Sequence, residues 1–532
     1  MHRFQASLPW FRILLFFLII IPYMRDLIEL TNLLNTTKMK GDGMMKHVIE
    51  PGSKMEKLYD GLISKQIKTD EDAKTLFGSQ DGGTNITVLK NKLKDRLLDA
   101  VFLLDFKEAN FSSRQKAFYE CYKKWSVAMT LLTRNAKITG IDLLERLLRH
   151  SMNFEFTELT LDILRVLKLQ YSVVEGDFEK YKDAKEKYLK YERIWIMESK
   201  AENHYSELMI QFTNSKSTKT EVTDLAKQYY AELVEFMNEC DSFKLHLFGR
   251  MIHLTIYNSA NDYQETARLC EDAIAFFDRK EYDSGLPLQV FYYNLVVCYL
   301  QMREFDKGQE VIGRCEYFFT EGTFNWYKLQ ELFFLLAMHS GHYGEAYRLY
   351  EKVTDMPRFN EQAHQIVEMW KIYEAYVQFL IRIGEIPADM ISDKAKKFRV
   401  GKFLNEVNEY IKDKRGMNIS VLIAQILFNI AERDYEDAIE RIDAIDKYRS
   451  RHLKEEDTFR SNCFIKMLLQ IPLNNFHREA VLRKSEKHHK NLLSVPLESA
   501  TQMHEVEIVP YEQLWEMIIR SLDLKIYKTK KK

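Results

Sequence analysis

Proline and glycine, the residues that punctuate turns in sheet proteins, are scarce: a chain of 532 residues carries 9 of the first and 19 of the second. Between Pro51 and Pro287 stand 235 residues without a proline. That excludes a sandwich or barrel, in which proline turns recur. Charge of one sign is also missing. With 77 basic and 78 acidic residues the formal net charge is −1, so no global field draws the protein to nucleic acid or acidic lipid, and any such contact must be local. Catalytic signatures are absent too. No Gly-x-Ser-x-Gly or His-Glu-x-x-His occurs, and the loop Gly78-Ser79-Gln80-Asp81-Gly82-Gly83 lacks the Lys-Ser/Thr and the preceding strand of a phosphate loop. Enzymatic activity, a cofactor, a bound metal and a small-molecule substrate are therefore not expected.

Cysteine is rare and unpaired by spacing. Cys121, Cys240, Cys270, Cys298, Cys315 and Cys463 are separated by 119, 30, 28, 17 and 148 residues, with no C-x-x-C. Most fall on apolar faces of predicted helices, where a free thiol behaves as a small hydrophobe, which points to a reducing, cytoplasmic compartment. Long apolar runs are nearly absent. The exception is Ile13 to Met24, preceded by Arg3 and Arg12. It falls short of the roughly 20 residues of a membrane span, and no small-x-small cleavage site follows it. Three readings stay open: an amino-terminal membrane anchor, a buried or partner-facing amphipathic helix continuing through Leu27, Ile28 and Leu30, or a start codon assigned too early, with Met39, Met44, Met45 and Met55 as later starts.

What the chain does have is helical periodicity. Hydrophobic residues make up 46% and charged residues 29%, enough for a large core in an ordinary globular protein. From Met55 onward, nearly every segment of about 12 to 20 residues places apolar positions at i, i+3, i+4 and i+7 between short polar turns. The expectation is an all-α fold of helical hairpins. The low-complexity stretch Asn214-Ser215-Lys216-Ser217-Thr218-Lys219-Thr220 suggests a soft boundary. The parts are then an amino-terminal segment 1–54, a small module 55–108, hairpins over 109–213, more regular repeats over 221–480, and a carboxy-terminal cap and tail over 481–532.

Internal repetition separates a bundle from a solenoid. The clearest unit runs from Gln289 to Gly322, with Tyr292, Leu295, Val296 and Tyr299 on one helix face, then Phe305, Gly308, Ile312 and Cys315 on the next. This pattern resembles a tetratricopeptide repeat. The next unit carries Gly341-His342-Tyr343-Gly344-Glu345-Ala346 with Tyr350, and the preceding one Tyr257, Tyr263, Thr266, Cys270 and Ala273. Gly176-Asp177-Phe178 and Asp434-Tyr435-Glu436-Asp437-Ala438 fill the same turn. The aromatics Phe178, Tyr263, Phe305, Tyr343 and Tyr435 are 85, 42, 38 and 92 residues apart, which predicts degenerate repeats near Tyr229 and Gly384 and a period longer than the family's usual one. The resemblance implies an α-solenoid, a right-handed superhelix whose inner groove takes an extended peptide or a partner helix.

By that resemblance the groove is lined by Phe248, Met251, Thr255, Asn258 and Ser259, by Val290, Tyr293, Val297, Leu300 and Gln301, and by Lys328, Glu331, Leu335, Met338 and His339. Tyr293 and Val297 depart from the Lys, Arg and Asn that grip a carboxy-terminal carboxylate, so no such clamp is expected. The alternative is that these residues pack against adjacent helices or a closing segment. A second candidate is nucleic-acid contact by the module at 55–104, whose third helix carries Lys90, Lys94 and Arg96; its turn of about seven residues is longer than a helix-turn-helix normally has. His339, His342 and Glu345 lie near one turn, where ordinary polarity is the simpler account than metal ligation. Arg483 to Lys490 and Lys525 to Lys532 form basic patches, read as solvated, and Tyr511 to Leu524 forms an amphipathic cap with Leu514, Trp515, Ile518 and Leu522. The expectation is a non-enzymatic scaffold for a protein or peptide partner. The alternatives are a DNA-binding regulator and a membrane-tethered assembly factor.

Overall fold

The computed structural model describes residues 24–36, 48–77, 85–102, 104, 113–213, 219–393, 395, 398, 417–453, 458–497 and 507–522. Regular structure among the described residues is helical throughout, as expected for a chain so poor in turn-forming residues. Two compact units are present. One holds the described residues up to Ile196 together with Glu281–Ser284, and the other holds Met197–Lys280 and those from Gly285 onward. The expected soft boundary at 214–220 falls mostly on residues outside the description.

The first unit begins with α1 (Arg25–Thr36), α2 (Lys54–Ile63), α3 (Asp70–Phe77) and α4 (Ile86–Val101). Helix α3 starts where the sequence marks it. Thr69 Oγ1 accepts the Asp72 amide at 3.3 Å, and the Asp72 carboxylate accepts the amides of Lys68 and Thr69 at 2.9 and 2.8 Å, a capping box. Leu58, Leu62, Leu93 and Leu97 close a core with Met24 and with Leu27 and Leu34 of α1. Packed helix thus begins at Arg25, well before Met55. The rest of the Ile13 to Met24 run lies outside the described residues, as does the Gly78 to Gly83 loop.

Helices α5 (Ser113–Thr133), α6 (Lys137–Asn153), α7 (Thr157–Leu169) and the first part of α8 (Phe178–Thr213) complete this unit around Leu144, Leu147, Ile163, Leu164 and Leu167. Helix α7 ends in a π-helical turn, Gln170–Glu175, closed by Gly176 in the left-handed region.

The second unit is a stack of hairpins. After the end of α8 come α9 (Lys219–Glu239), α10 (Phe243–Ser259), α11 (Tyr263–Asp278), α12 (Gly285–Met302), α13 (Phe305–Glu316), α14 (Phe324–His339), α15 (Tyr343–Thr354) and α16 (His364–Arg382). Then follow α17 (Met417–Glu432), α18 (Tyr435–His452), α19 (Phe459–Leu473), α20 (Arg478–Leu493) and α21 (Tyr511–Ser521). Each helix from α9 to α20 packs on its neighbour in sequence, and α12 also packs on α14. The result is an all-α solenoid of stacked hairpins.

One turn recurs. Asn261, Arg303, Gly341 and Arg433 have φ of 56°, 57°, 76° and 61°. The amide that follows each one bonds the carbonyl five residues back, as in Asp262 to Tyr257 at 3.0 Å and His342 to Ala337 at 2.8 Å. This is a Schellman closure. The aromatics Tyr263, Phe305, Tyr343 and Tyr435, two residues further on, each open the next helix. Gly384 (φ 81°) repeats the turn after α16. At Gly308, a small residue of the repeat pattern, an added Cβ would press on the side chain of Leu336 in α14.

Candidate functional site

Helices α12 and α14 have no polar face over much of their length: Phe291 to Leu300 and Leu332 to His339 are buried at every position. Such helices must be covered on all sides. At the His339 end of α14 part of the cover comes from the far end of the chain. In α21, Tyr511, Leu514, Trp515, Met517, Ile518 and Ile519 are all buried, while Glu516 and Arg520 are exposed. This helix packs on α17, α19 and α20 and reaches the ends of α12, α14 and α16 through side-chain bonds.

The grip is polar as well as apolar. Arg460 of α19 donates from Nε and Nη2 to the two carboxylate oxygens of Glu507, at 2.7 and 3.0 Å, and from Nη2 to Glu512 at 2.5 Å. Its Nη1 donates to the carbonyl of Val495 at 2.6 Å. Arg303, at the α12–α13 turn, donates to the other oxygen of Glu512 at 2.7 Å. Glu507 also accepts the Tyr511 amide at 3.0 Å and so caps α21. His339 Nε2 meets the Glu507 carbonyl at 2.6 Å, and Gln513 donates to the His339 carbonyl at 3.0 Å while accepting from the Tyr343 hydroxyl at 3.0 Å. Arg520 reaches Glu385 at 2.7 Å, and the Tyr511 ring stacks on Phe464 with centroids 4.3 Å apart.

Electrostatics follow from burial. Arg460 and Glu507 are each 4% exposed. Desolvation pushes the Glu507 carboxyl up despite Arg460. For Glu512 burial acts in the same direction, but Arg460 and Arg303 outweigh it and its pKa is lowered. Arg460 is disfavoured by burial and more than compensated by Glu507, so it stays charged. A buried pair this well hydrogen-bonded tolerates loss of neither partner.

The residues expected to line an open groove divide in two. Thr255, Tyr293, Val297, Leu335 and His339 are buried, which corrects the expectation that they face an open groove. Thr255 bonds the Met251 carbonyl at 2.9 Å, Tyr293 packs near Phe319, and His339 lies under Glu507. Met251, Asn258, Gln301 and Glu331 are half-buried. Glu331 is held by Lys328 at 2.6 Å and by the Tyr373 hydroxyl at 3.2 Å. Sequence reasoning found α21 but placed it as an end cap, and it missed Arg303, Glu385, Arg460, Glu507 and Glu512.

The basic helix of the first unit is also corrected. Lys90 is 2% exposed and pairs with Asp70 at 2.6 Å, and Lys94 pairs with Asp26 at 2.8 Å. These two lysines join α4 to α3 and α1. Arg96 is exposed. His342 stacks on Phe305 with centroids 3.7 Å apart, and Glu345 binds Arg348 at 2.8 Å. Among the described residues no group of three or more side chains is placed to hold a metal, and no helix is long and apolar enough to cross a membrane. The tail from Lys525 lies outside the description. The chain matches no protein-family model and no curated protein.

Proposed function

We propose that this chain is a non-enzymatic, protein-binding scaffold whose tetratricopeptide-like repeats hold an amphipathic helix of a partner. The observation that supports it is the seating of α21. Arg303 and Arg460 hold the Glu512 carboxylate, Arg460 holds that of Glu507 just ahead of the helix, His339 meets the Glu507 carbonyl, Glu385 pairs with Arg520, and the Trp515 face is buried. A partner helix would need the same chemistry: two carboxylates spaced for Arg303 and Arg460, followed by an apolar stripe. It would compete with α21. The six free cysteines, five of them buried, support a reducing, cytoplasmic setting.

The test is a chain ending at residue 506, titrated with a fluorescent peptide of residues 507–522. Saturable one-to-one binding is expected, weakened at least tenfold by Arg460→Met. A folded truncated chain that ignores the peptide sinks the proposal. Purification of the full chain from its source, with and without nuclease, should retain a stoichiometric protein in both samples. Retention of nucleic acid alone would favour the regulator instead.

A further inference from the structure

Arg250 lies on a different face of α10 from Met251, Thr255 and Asn258, because each residue advances the helix by about 100°. On its face stand His246, Arg250 and His253, spaced i, i+4 and i+7. Two ring stacks flank the arginine. His246 lies on Phe276 of α11 with centroids 4.0 Å apart and planes 14° apart, and His253 lies on Tyr230 of α9 at 3.9 Å and 11°. The Arg250 guanidinium carbon is 4.8 Å from the Phe276 centroid.

Among the described residues this arginine has no hydrogen-bond acceptor. Its Nε is buried without a hydrogen-bond partner, and among the described residues neither a hydrogen bond nor an ion pair reaches the guanidinium. Nearby carboxylates do not serve it. Asp272 is bound to Arg268 at 2.7 Å, and Asp241 is exposed. Arg279 adds positive charge, and burial followed by that charge lowers the Arg250 pKa although Tyr230, Asp272 and Asp241 act in the other direction. A guanidinium has five donors in a planar fork. Leaving a partly desolvated one without an acceptor is unfavourable, and an arriving oxyanion relieves that cost.

We propose that Arg250 is the centre of an anion site between α9 and α11 that takes a carboxylate. One unpaired guanidinium between flat ring stacks matches a planar, singly charged group. The His246 Nε2 proton is committed to the carbonyls of Met237 and Cys240 at 3.1 and 3.0 Å, and Lys280, whose Nζ lies 5.0 Å from the Phe276 centroid, donates to the Asp241 carbonyl, so the Arg250 fork is the planar donor left to receive an anion. The carboxylate comes either from a free small acid or from an acidic side chain of a partner peptide. The site is separate from the α21 contacts and does not rest on the scaffold reading.

The test uses the full chain, with thermal midpoints measured at equal ionic strength in sodium chloride, acetate and phosphate, and in chloride with added hexaglutamate. Wild type should melt a few degrees higher in acetate, or with hexaglutamate, than in chloride. A response to acetate identifies a free acid as sufficient, and a response to hexaglutamate alone identifies a peptide. Arg250→Met should abolish the shift while melting in chloride no lower than wild type, since it removes a half-buried charge with no acceptor among the described residues. Arg250→Lys keeps the charge without the fork and should lose most of the shift, which holds the test open if the Met variant does not fold. The proposal is overturned by shifts of equal size in wild type and variants, by no shift in either medium, by a larger Arg250-dependent response to phosphate than to acetate, or by an Arg250→Met chain that folds but melts several degrees lower in chloride.

Discussion

His339 and His246 each aim Nε2 at backbone carbonyls, of Glu507 in one case and of Met237 and Cys240 in the other. A carbonyl only accepts, so each ring carries its proton on Nε2. Burial lowers both pKa values from 6.5 to about 4. Protons therefore bind the unfolded chain in a window where the folded chain refuses them. Stability is held above about pH 6.5 and lost as pH falls toward 4. Melting followed by circular dichroism should show a flat midpoint above pH 7 and a fall below 6.5. His339→Gln, which can still donate to the Glu507 carbonyl, should soften that fall, and an unchanged acid limb would show that His339 does not carry it. Little of this is legible in sequence. A histidine ending an apolar helix looks the same whether its cover is solvent or a segment 168 residues away.

The hairpin turn was the most readable element, because its chemistry is local. The turn aromatics Tyr263, Phe305, Tyr343 and Tyr435 open helices as their pattern predicted, and the left-handed residue two places earlier is a glycine in only one of the four. The small-residue place at Gly308 proved to be a close helix contact. Gly308→Ala should cost about 1–3 kcal/mol by overpacking against Leu336. Gly313→Ala, five residues on in the same helix and facing open space, should gain up to ~1 kcal/mol. Denaturant unfolding of both variants checks the contrast, and equal effects would show that the helices have room to move apart. The π-helical turn at Gln170–Glu175 went unread, since one extra residue per turn leaves no mark in a periodic pattern.

At the scale of the whole molecule, α21 reaches back to turns that precede it by up to 209 residues. Removing residues 507–532 should speed amide exchange at the ends of α12, α14, α16 and in α19, while α5 to α7 keep their protection. Exchange that rises evenly along the chain would argue against a localised role. Residue order alone carried the all-α class, the hairpins and their turns, because helix period and turn closure are decided within about ten consecutive residues. It also supplied an amphipathic helix at Tyr511 with no indication of where that helix belongs. Stacking decided that. It brought Arg303, His339 and Arg460 against Glu507 and Glu512, set Glu385 against Arg520, buried Tyr293 and Leu335, and turned Lys90 onto Asp70. Side chains so distant along the chain meet only through the cumulative geometry of many packed helices, and no local pattern records that geometry.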